Sequence, residues 1–219
     1  MWHLILAGPP GSGKSTQGQH LAEEWGLVNL STGQMLRDEV ARGTAMGLEA
    51  ERYMSQGQLV PPRIANDLMR ATLAAMRDRG FILDGYPRSI AQAEALDQIL
   101  RDLSLSLDAA VLVDVAEETA VARLASRLVC VSCRRGYTDS ELASDEMTCR
   151  ACGGQLVRRG DDNPGVVRER FKVYHAEMQP VLEHYEEQGL LVVVDGNGSQ
   201  AEVFERLKAA LLARHPEHV

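Results

Sequence analysis

Three features of this sequence predict an α/β fold: a doubly wound, five-stranded parallel sheet carrying a phosphate-binding loop, with two segments inserted into it. The first is a set of short apolar runs at residues 2–7, 27–30, 81–83, 110–113 and 190–194. Several are apolar at consecutive positions, as strands buried on both faces of a parallel sheet are. The second is the helical pattern between the runs, since strand–helix alternation builds layered α/β domains. The third is Gly8-Pro9-Pro10-Gly11-Ser12-Gly13-Lys14-Ser15, directly after Leu4-Ile5-Leu6-Ala7.

That stretch fits G-x-x-x-x-G-K-[ST], the P-loop, with the strand before it and the helix after it that the motif needs. Glycines let several backbone N–H groups converge on phosphate oxygens, and the helix opening near Lys14 turns its positive end to the same anion. Lys14 adds a point charge. A chance glycine-rich turn would lack this setting. The motif identifies nucleotide binding and leaves the reaction open.

The helices follow in order. The first runs from the P-loop through Trp25, and the next begins at Ser31, where Ser31-x-x-Gln34 is spaced for a capping box. Pro61-Pro62 precede a helix with Ile64, Leu68, Met69 and Leu73 on one side. A long helix carries Val167, Phe171, Tyr174, Met178, Leu182 and Tyr185 at steps of three and four, with Pro180 expected to bend it. The last covers 199–214 and opens with a second capping box, Ser199-x-x-Glu202. These stripes read as core. Residues 31–60 and about 126–162 break the rhythm with turn residues and weak periodicity, and both read as insertions into the sheet domain.

Composition narrows the function. At 219 residues the chain can bury one substantial core, and 45% hydrophobic with 25% charged residues is ordinary for a globular protein. No run approaches the roughly 18–20 apolar residues of a membrane span, and Met1-Trp2-His3 starts a strand rather than a signal peptide, so a cytoplasmic chain off the membrane is expected. A net charge of −8 argues against general nucleic-acid binding. Of 23 basic residues only three are lysines (Lys14, Lys172 and Lys208), and one of them sits in the P-loop.

The cysteines are spaced as two knuckles: Cys130-x2-Cys133, then 15 residues, then Cys149-x2-Cys152. This is the spacing of a tetrahedral zinc site. A disulfide framework is not expected without a secretory signal, and a redox Cys-x-x-Cys pair leaves the second knuckle unexplained. Four thiolates leave no open coordination position, so the zinc is expected to be structural.

Phe81-Ile82-Leu83-Asp84 is an apolar strand ending in a carboxylate, followed by Gly85-Tyr86-Pro87-Arg88. A carboxylate there, beside the P-loop, is placed to organise magnesium directly or through water. Together, residues 8–16, Ser31-Thr32-Gly33, Asp84-Gly85-Tyr86-Pro87-Arg88 and Arg159-Gly160-Asp161-Asp162 resemble adenylate kinase, in the long bacterial form whose lid carries a zinc knuckle. The likeness spans essentially the whole chain, and the D-G-[FY]-P-R element is specific to nucleoside monophosphate kinases.

The resemblance implies a core of 1–30, 61–125 and 163–219, a monophosphate-binding domain at 31–60, and a zinc-stapled lid at 126–162. It implies that Thr32, Arg37, Leu59, Val60, Gly85, Arg88, Gln92, Arg159 and Arg170 hold the AMP side. Gly11, Ser12, Gly13, Lys14, Ser15, Thr16, Arg123 and Arg127 would hold ATP. Lys14, Asp84, Arg88, Arg123, Arg127, Arg159 and Arg170 would act on the transferring group, and Cys130, Cys133, Cys149 and Cys152 would bind zinc. Arg123 and Arg127 are also spaced to face one way on a helix. Two places depart from the family pattern: Ser15 stands where adenylate kinases usually carry Gly, and its hydroxyl restores the general P-loop ligand for Mg²⁺, while Asn163-Pro164-Gly165 stands where the family often places acidic residues.

No histidine stands in a motif and no catalytic base is evident. A monophosphate acceptor arrives ionised, so no proton need be removed, and catalysis reduces to positioning and charge neutralisation with water excluded. The implied reaction is MgATP + AMP ⇌ 2 ADP, serving adenine-nucleotide balance, by a monomer with no nucleic-acid or membrane partner. The alternatives are a CMP or UMP kinase, or a non-enzymatic P-loop or zinc-ribbon binding protein. The net charge of −8 opposes the ribbon, and the absence of Asn-Lys-x-Asp opposes a guanine-reading switch.

Overall fold

A computed structural model describes residues 1–133, 135–139, 142 and 146–215, with Asp161 by its backbone alone. Five strands, β1 (His3–Ala7), β2 (Val28–Ser31), β3 (Phe81–Asp84), β4 (Ala109–Asp114) and, last in the chain, β8 (Leu191–Asp195), form one sheet in the order β2-β3-β1-β4-β8. Every pairing is parallel. Each strand lies within a residue or two of its expected place.

Alternation along β1 divides the core into two layers. Leu4 and Leu6 pack with Leu21 of α1 (Lys14–Trp25) and with Leu207 and Leu211 of α8 (Gln200–Arg214). Ile5 and Ala7 face the other way, into a larger cluster. That cluster takes Met69 and Leu73 from α4 (Pro62–Ala74), Leu96 and Ile99 from α5 (Ile90–Leu103), and Val181 and Tyr185 from α7 (Pro164–Glu187). A strand buried on both faces has no polar side to alternate, hence the consecutive apolar runs. Because β1 lies between β3 and β4, the chain leaves it in opposite directions across the sheet, and a crevice opens at the carboxyl ends of these strands.

The two segments that break the rhythm have their own structure. Between β2 and α4 stand α2 (Thr32–Ala41) and α3 (Ala45–Met54), packed on each other. After α6 (Glu117–Ala125) come β5 (Arg127–Cys130), β6 (Gly136–Thr138) and β7 (Leu156–Val157), an antiparallel sheet ordered β6-β5-β7. Its core is small: Leu128, Cys130, Cys149 and Leu156, with Cys133, Tyr137 and Leu142 against it.

The two capping boxes come out differently. At α8 both bonds form: Glu202 N–H donates to Ser199 Oγ at 3.3 Å and Ser199 N–H to Glu202 Oε2 at 2.8 Å. At α2, Ser31 is the N-cap but its side chain makes no cap bond. Gln34 is engaged elsewhere, accepting from Arg37 Nε and Nη2 at 3.2 and 3.0 Å and donating to Asp38 at 2.8 Å. The long helix α7 continues through Pro180 as one element. No helix among the described residues is long and apolar enough to cross a membrane.

Candidate active site

The crevice is a cleft of about 850 Å³. Its floor is the P-loop. Gly11 has φ +85°, and a Cβ there would lie 2.3 Å from the Ala120 carbonyl oxygen, so only glycine lets the loop pass under α6. Ser12 is buried, its N–H donates to Pro9 O at 3.1 Å, and its Oγ accepts from Lys14 N–H at 3.4 Å. Lys14 Nζ donates to Pro9 O at 3.2 Å. Burial lowers the Lys14 ammonium to about 7; Asp84 opposes this, while Arg88, Arg170 and Arg127 push the same way. The loop is a concentration of positive charge that an anion would relieve.

Asp84 ends β3, buried and in register with Leu6 and Ser31 of the strands on either side. The chain then turns through Gly85 and the cis Tyr86-Pro87 bond to Arg88, whose Nε donates to Gly85 O at 2.6 Å. Arg37 reaches the same place from α2. A Cβ built on Gly33 would lie 3.4 Å from Arg37 Nη1 and 3.7 Å from Arg88 Nη2, so the two guanidiniums crowd one spot over the first turn of α2.

From the opposite wall, Arg123 of α6 donates to Ser12 O at 3.3 Å, to Gly196 O at 3.2 and 3.1 Å, and to Gly198 O at 3.2 Å. It ties the P-loop to the turn after β8. Arg127 does not share its helix. It opens β5, because α6 ends at Ala125, so the expected i,i+4 pairing on one helix face is wrong. Arg127 reaches the cleft by another route: its Nε donates to Asp162 Oδ2 at 2.8 Å and its Nη2 to Asp162 Oδ1, which also accepts from Arg170 Nη1 at 3.3 Å. A single carboxylate, 6% exposed, therefore aligns two guanidiniums that are 21% and 19% exposed.

Of the residues singled out in the sequence, Gly11, Ser12, Gly13, Lys14, Ser15, Thr16, Arg37, Leu59, Asp84, Gly85, Arg88, Arg123, Arg127, Arg159 and Arg170 line this one cleft. Thr32, Val60 and Gln92 do not. Thr32 is buried between two lining residues, Ser31 and Gly33, and its Oγ1 has no hydrogen-bond partner. Val60 packs into the core. Gln92 is buried, and its Oε1 accepts from Arg88 N–H at 2.8 Å, bracing the loop that carries Arg88. Sequence reasoning missed Asp162 as the arginine clamp, although it belongs to the Arg159-Gly160-Asp161-Asp162 run. It also missed Tyr137 and Thr138 of β6, which no motif marks and which only the folding of the small sheet brings to the cleft.

That small sheet lies close over the P-loop. A Cβ on Gly136 would stand 3.8 Å from Thr16 Oγ1, and Arg135 Nη2 donates to Glu23 of α1 at 2.9 and 3.0 Å. The four cysteines gather beneath it, with all sulfurs within 4.8 Å of one another and two pairs at 3.5 Å. Tetrahedral zinc with bonds of about 2.3 Å spaces its sulfurs by about 3.8 Å, so the cluster fits. Ser132 N–H and Cys133 N–H donate to Cys130 Sγ at 3.4 and 3.5 Å, stabilising negative sulfur. Gly154 allows the close approach: a Cβ there would lie 2.8 Å from Cys130 Sγ. The Tyr137 hydroxyl is the main cause that lowers Cys149 to about 6, while burial raises Cys133 to about 12. Without a cation these thiols cannot all ionise together.

The chain matches the family model described as adenylate kinase over residues 6–190. It is 43% identical over 212 residues to the adenylate kinase of Methanocella arvoryzae, covering 95% of this chain and 97% of that protein. It is 40% identical over 211 residues to the adenylate kinase of Archaeoglobus fulgidus, covering 95% and 97%. Against the adenylate kinase of Petrotoga mobilis it is 42% identical over 205 residues, covering 93% and 94%.

Proposed function

The chain belongs to the adenylate kinase family, and from that premise we propose that it keeps adenine nucleotides in balance by MgATP + AMP ⇌ 2 ADP. It is a nucleoside monophosphate kinase whose substrates and products are ATP, AMP and ADP. The observation that carries the mechanism is the charge of the cleft. Lys14, Arg37, Arg88, Arg123, Arg127, Arg159 and Arg170 line it with one carboxylate, Asp84, and no histidine or glutamate among the described residues. Such a wall has cations for phosphate oxygens, and its one carboxylate, Asp84, is assigned to Mg²⁺ rather than to a proton. A phosphate acceptor needs no base.

In this reading the P-loop N–H groups and Lys14 hold the triphosphate, with Arg123 fixing the P-loop to the turn after β8. Arg37 and Arg88 hold the acceptor phosphate over Gly33. Thr32, Val60 and Gln92 belong to the acceptor side through their neighbours: Thr32 between Ser31 and Gly33, Val60 after Leu59, Gln92 through the backbone of Arg88. Arg127, Arg159 and Arg170 gather on the group in flight, two of them prealigned by Asp162, which lowers the cost of ordering them during transfer. Mg²⁺ bound with ATP would offset phosphate charge, and Ser15 and Asp84 are the residues that would hold it.

Residues 126–162 act as a lid that excludes water, residues 31–60 as the monophosphate-binding unit, and the remainder as the core. The Arg135–Glu23 contact, which joins the residue before β6 to α1, supports this division. We read the enzyme as a cytoplasmic monomer. ADP formation from ATP with AMP, CMP or UMP tests the reading: AMP should be the best acceptor, and a preference for CMP or UMP would overturn it.

A further inference from the structure

Tyr137 belongs to two sites at once. It lines the nucleotide cleft and also a second cavity of about 270 Å³, which His20, Arg135, Arg150 and Gln200 help to bound. Its hydroxyl lies 3.2 Å from Cys149 Sγ. Tyr137 is the central residue of β6, paired with Leu128 of β5, and it packs on the same small core as Cys130 and Cys149. The residue before it, Gly136, approaches Thr16 in the first turn of α1, so this part of β6 faces the P-loop side of the cleft. A thiolate bound to zinc has no proton, so the tyrosine hydroxyl must donate and the sulfur accept.

We propose that Tyr137 is a positioning residue that couples the zinc site to the triphosphate side of the cleft. The metal-bound Cys149 thiolate holds the tyrosine by its hydroxyl, and the tyrosine holds the cleft wall in shape for nucleotide. This rests on reading the cleft as the nucleotide site. Coupling of this kind is reciprocal: if zinc favours the nucleotide-binding form of the wall, nucleotide must tighten zinc by the same factor. AMP, held on the far side of the cleft by Arg37 and Arg88, makes no demand on β6.

The test uses the full zinc-loaded chain in equilibrium with a chromophoric chelator, alone, with MgATP and with AMP, each corrected against a protein-free blank. ATP binding is measured separately by calorimetry. MgATP should tighten zinc by at least about fivefold, the low end of ordinary coupling between sites, and AMP should leave it nearly unchanged. Tyr137→Phe keeps the ring and removes only the hydroxyl, and it should bring the MgATP effect close to onefold. A purely structural tyrosine would shift zinc affinity equally in all conditions and preserve the ratio. ATP that binds without tightening zinc in the wild-type protein overturns the coupling, and so does a Phe variant with the full MgATP effect. The wild-type arm decides even if the variant is unstable. Failure of ATP to bind at all would instead overturn the nucleotide reading, and the coupling with it.

Discussion

Asp162→Asn is the perturbation whose cost can be followed bond by bond. The wild-type carboxylate accepts from Arg127 Nε at 2.8 Å, from Arg127 Nη2 and from Arg170 Nη1 at 3.3 Å, and it is 6% exposed. Asparagine has the same shape but one acceptor oxygen. Keeping that oxygen at the Oδ1 position preserves the bonds from Nη2 and from Arg170, but turns an N–H₂ toward Arg127 Nε. At least one charge-assisted bond is lost, about 1.5–3 kcal/mol, and two largely buried guanidiniums lose their countercharge. A loss of about 2–3 kcal/mol corresponds to about 5–10 °C in the melting temperature of a chain this size. Triphosphate oxygens would take the place of the missing carboxylate, so saturating ATP should raise the melting temperature of the variant more than that of the wild type. Turnover should fall by about 10–100-fold because the arginines are no longer prealigned. The assay is a melting curve with and without ATP, followed by steady-state kinetics. An unchanged melting temperature together with the same ATP-induced gain as wild type would refute the clamp.

Four further outcomes are expected. Lys14→Met should lower turnover by about 10²–10⁴-fold while leaving the melting temperature of the empty protein near wild type, since it removes phosphate charge from a cleft and touches no core; near-wild-type turnover would remove the P-loop lysine from the mechanism. Lys14 stands near 7 in the empty protein, so below that pH it binds nucleotide already charged, whereas above it the arriving phosphates must restore its proton. Calorimetry of ATP binding in buffers of different ionisation enthalpy should therefore show proton uptake rising from near zero at about pH 6 toward one at about pH 8–9, and an uptake that is flat with pH would count against it. Gln92→Leu removes the acceptor for Arg88 N–H and should weaken AMP by about 1–3 kcal/mol while sparing ATP, which comparative titrations can check. Removal of zinc by chelator, or Cys130→Ser with Cys133→Ser, should loosen residues 126–162 before the five-stranded sheet, read as loss of hydrogen-exchange protection confined to that segment.

The fold was legible because its strands are buried on both faces. Runs such as 81–83 and 110–113 have no other use for consecutive apolar residues, and each lies where β3 and β4 do. The P-loop was legible because its demands are local: glycine where Ala120 O leaves no room for a Cβ, and lysine at the start of a helix. Local demands also explain the misses. Ser31 and Gln34 have the spacing of a capping box, but Gln34 is taken by Arg37, a competitor that spacing does not reveal. Arg123 and Arg127 read as one helical pair because nothing in the sequence marks the end of α6 at Ala125. Asp162 and Tyr137 gained their places from contacts between distant segments, 35 residues from Asp162 to Arg127 and 12 from Tyr137 to Cys149. No short window holds both ends of such a contact.

Charge is nearly balanced around the cysteines. Residues 123–170 carry nine arginines and seven acidic residues, and four zinc-bound thiolates would remove the excess. Bulk attraction cannot then be what the proposed lid supplies. In the proposed division its contribution is where Arg127 and Arg159 are held, on a segment whose buried core is little more than Leu128, Leu156 and two of the cysteines, while Arg170 joins them from α7 through Asp162.

A cleft that positions phosphates and excludes water, rather than activating a hydroxyl, leaves its mark in product stoichiometry, which phosphorus NMR reads. Starting from MgATP and AMP, two ADP should form for each ATP consumed, with almost no inorganic phosphate, and ATP plus AMP should form again when the enzyme is given ADP alone. ATP consumed without AMP, with inorganic phosphate as the main product, would contradict that reading of the cleft.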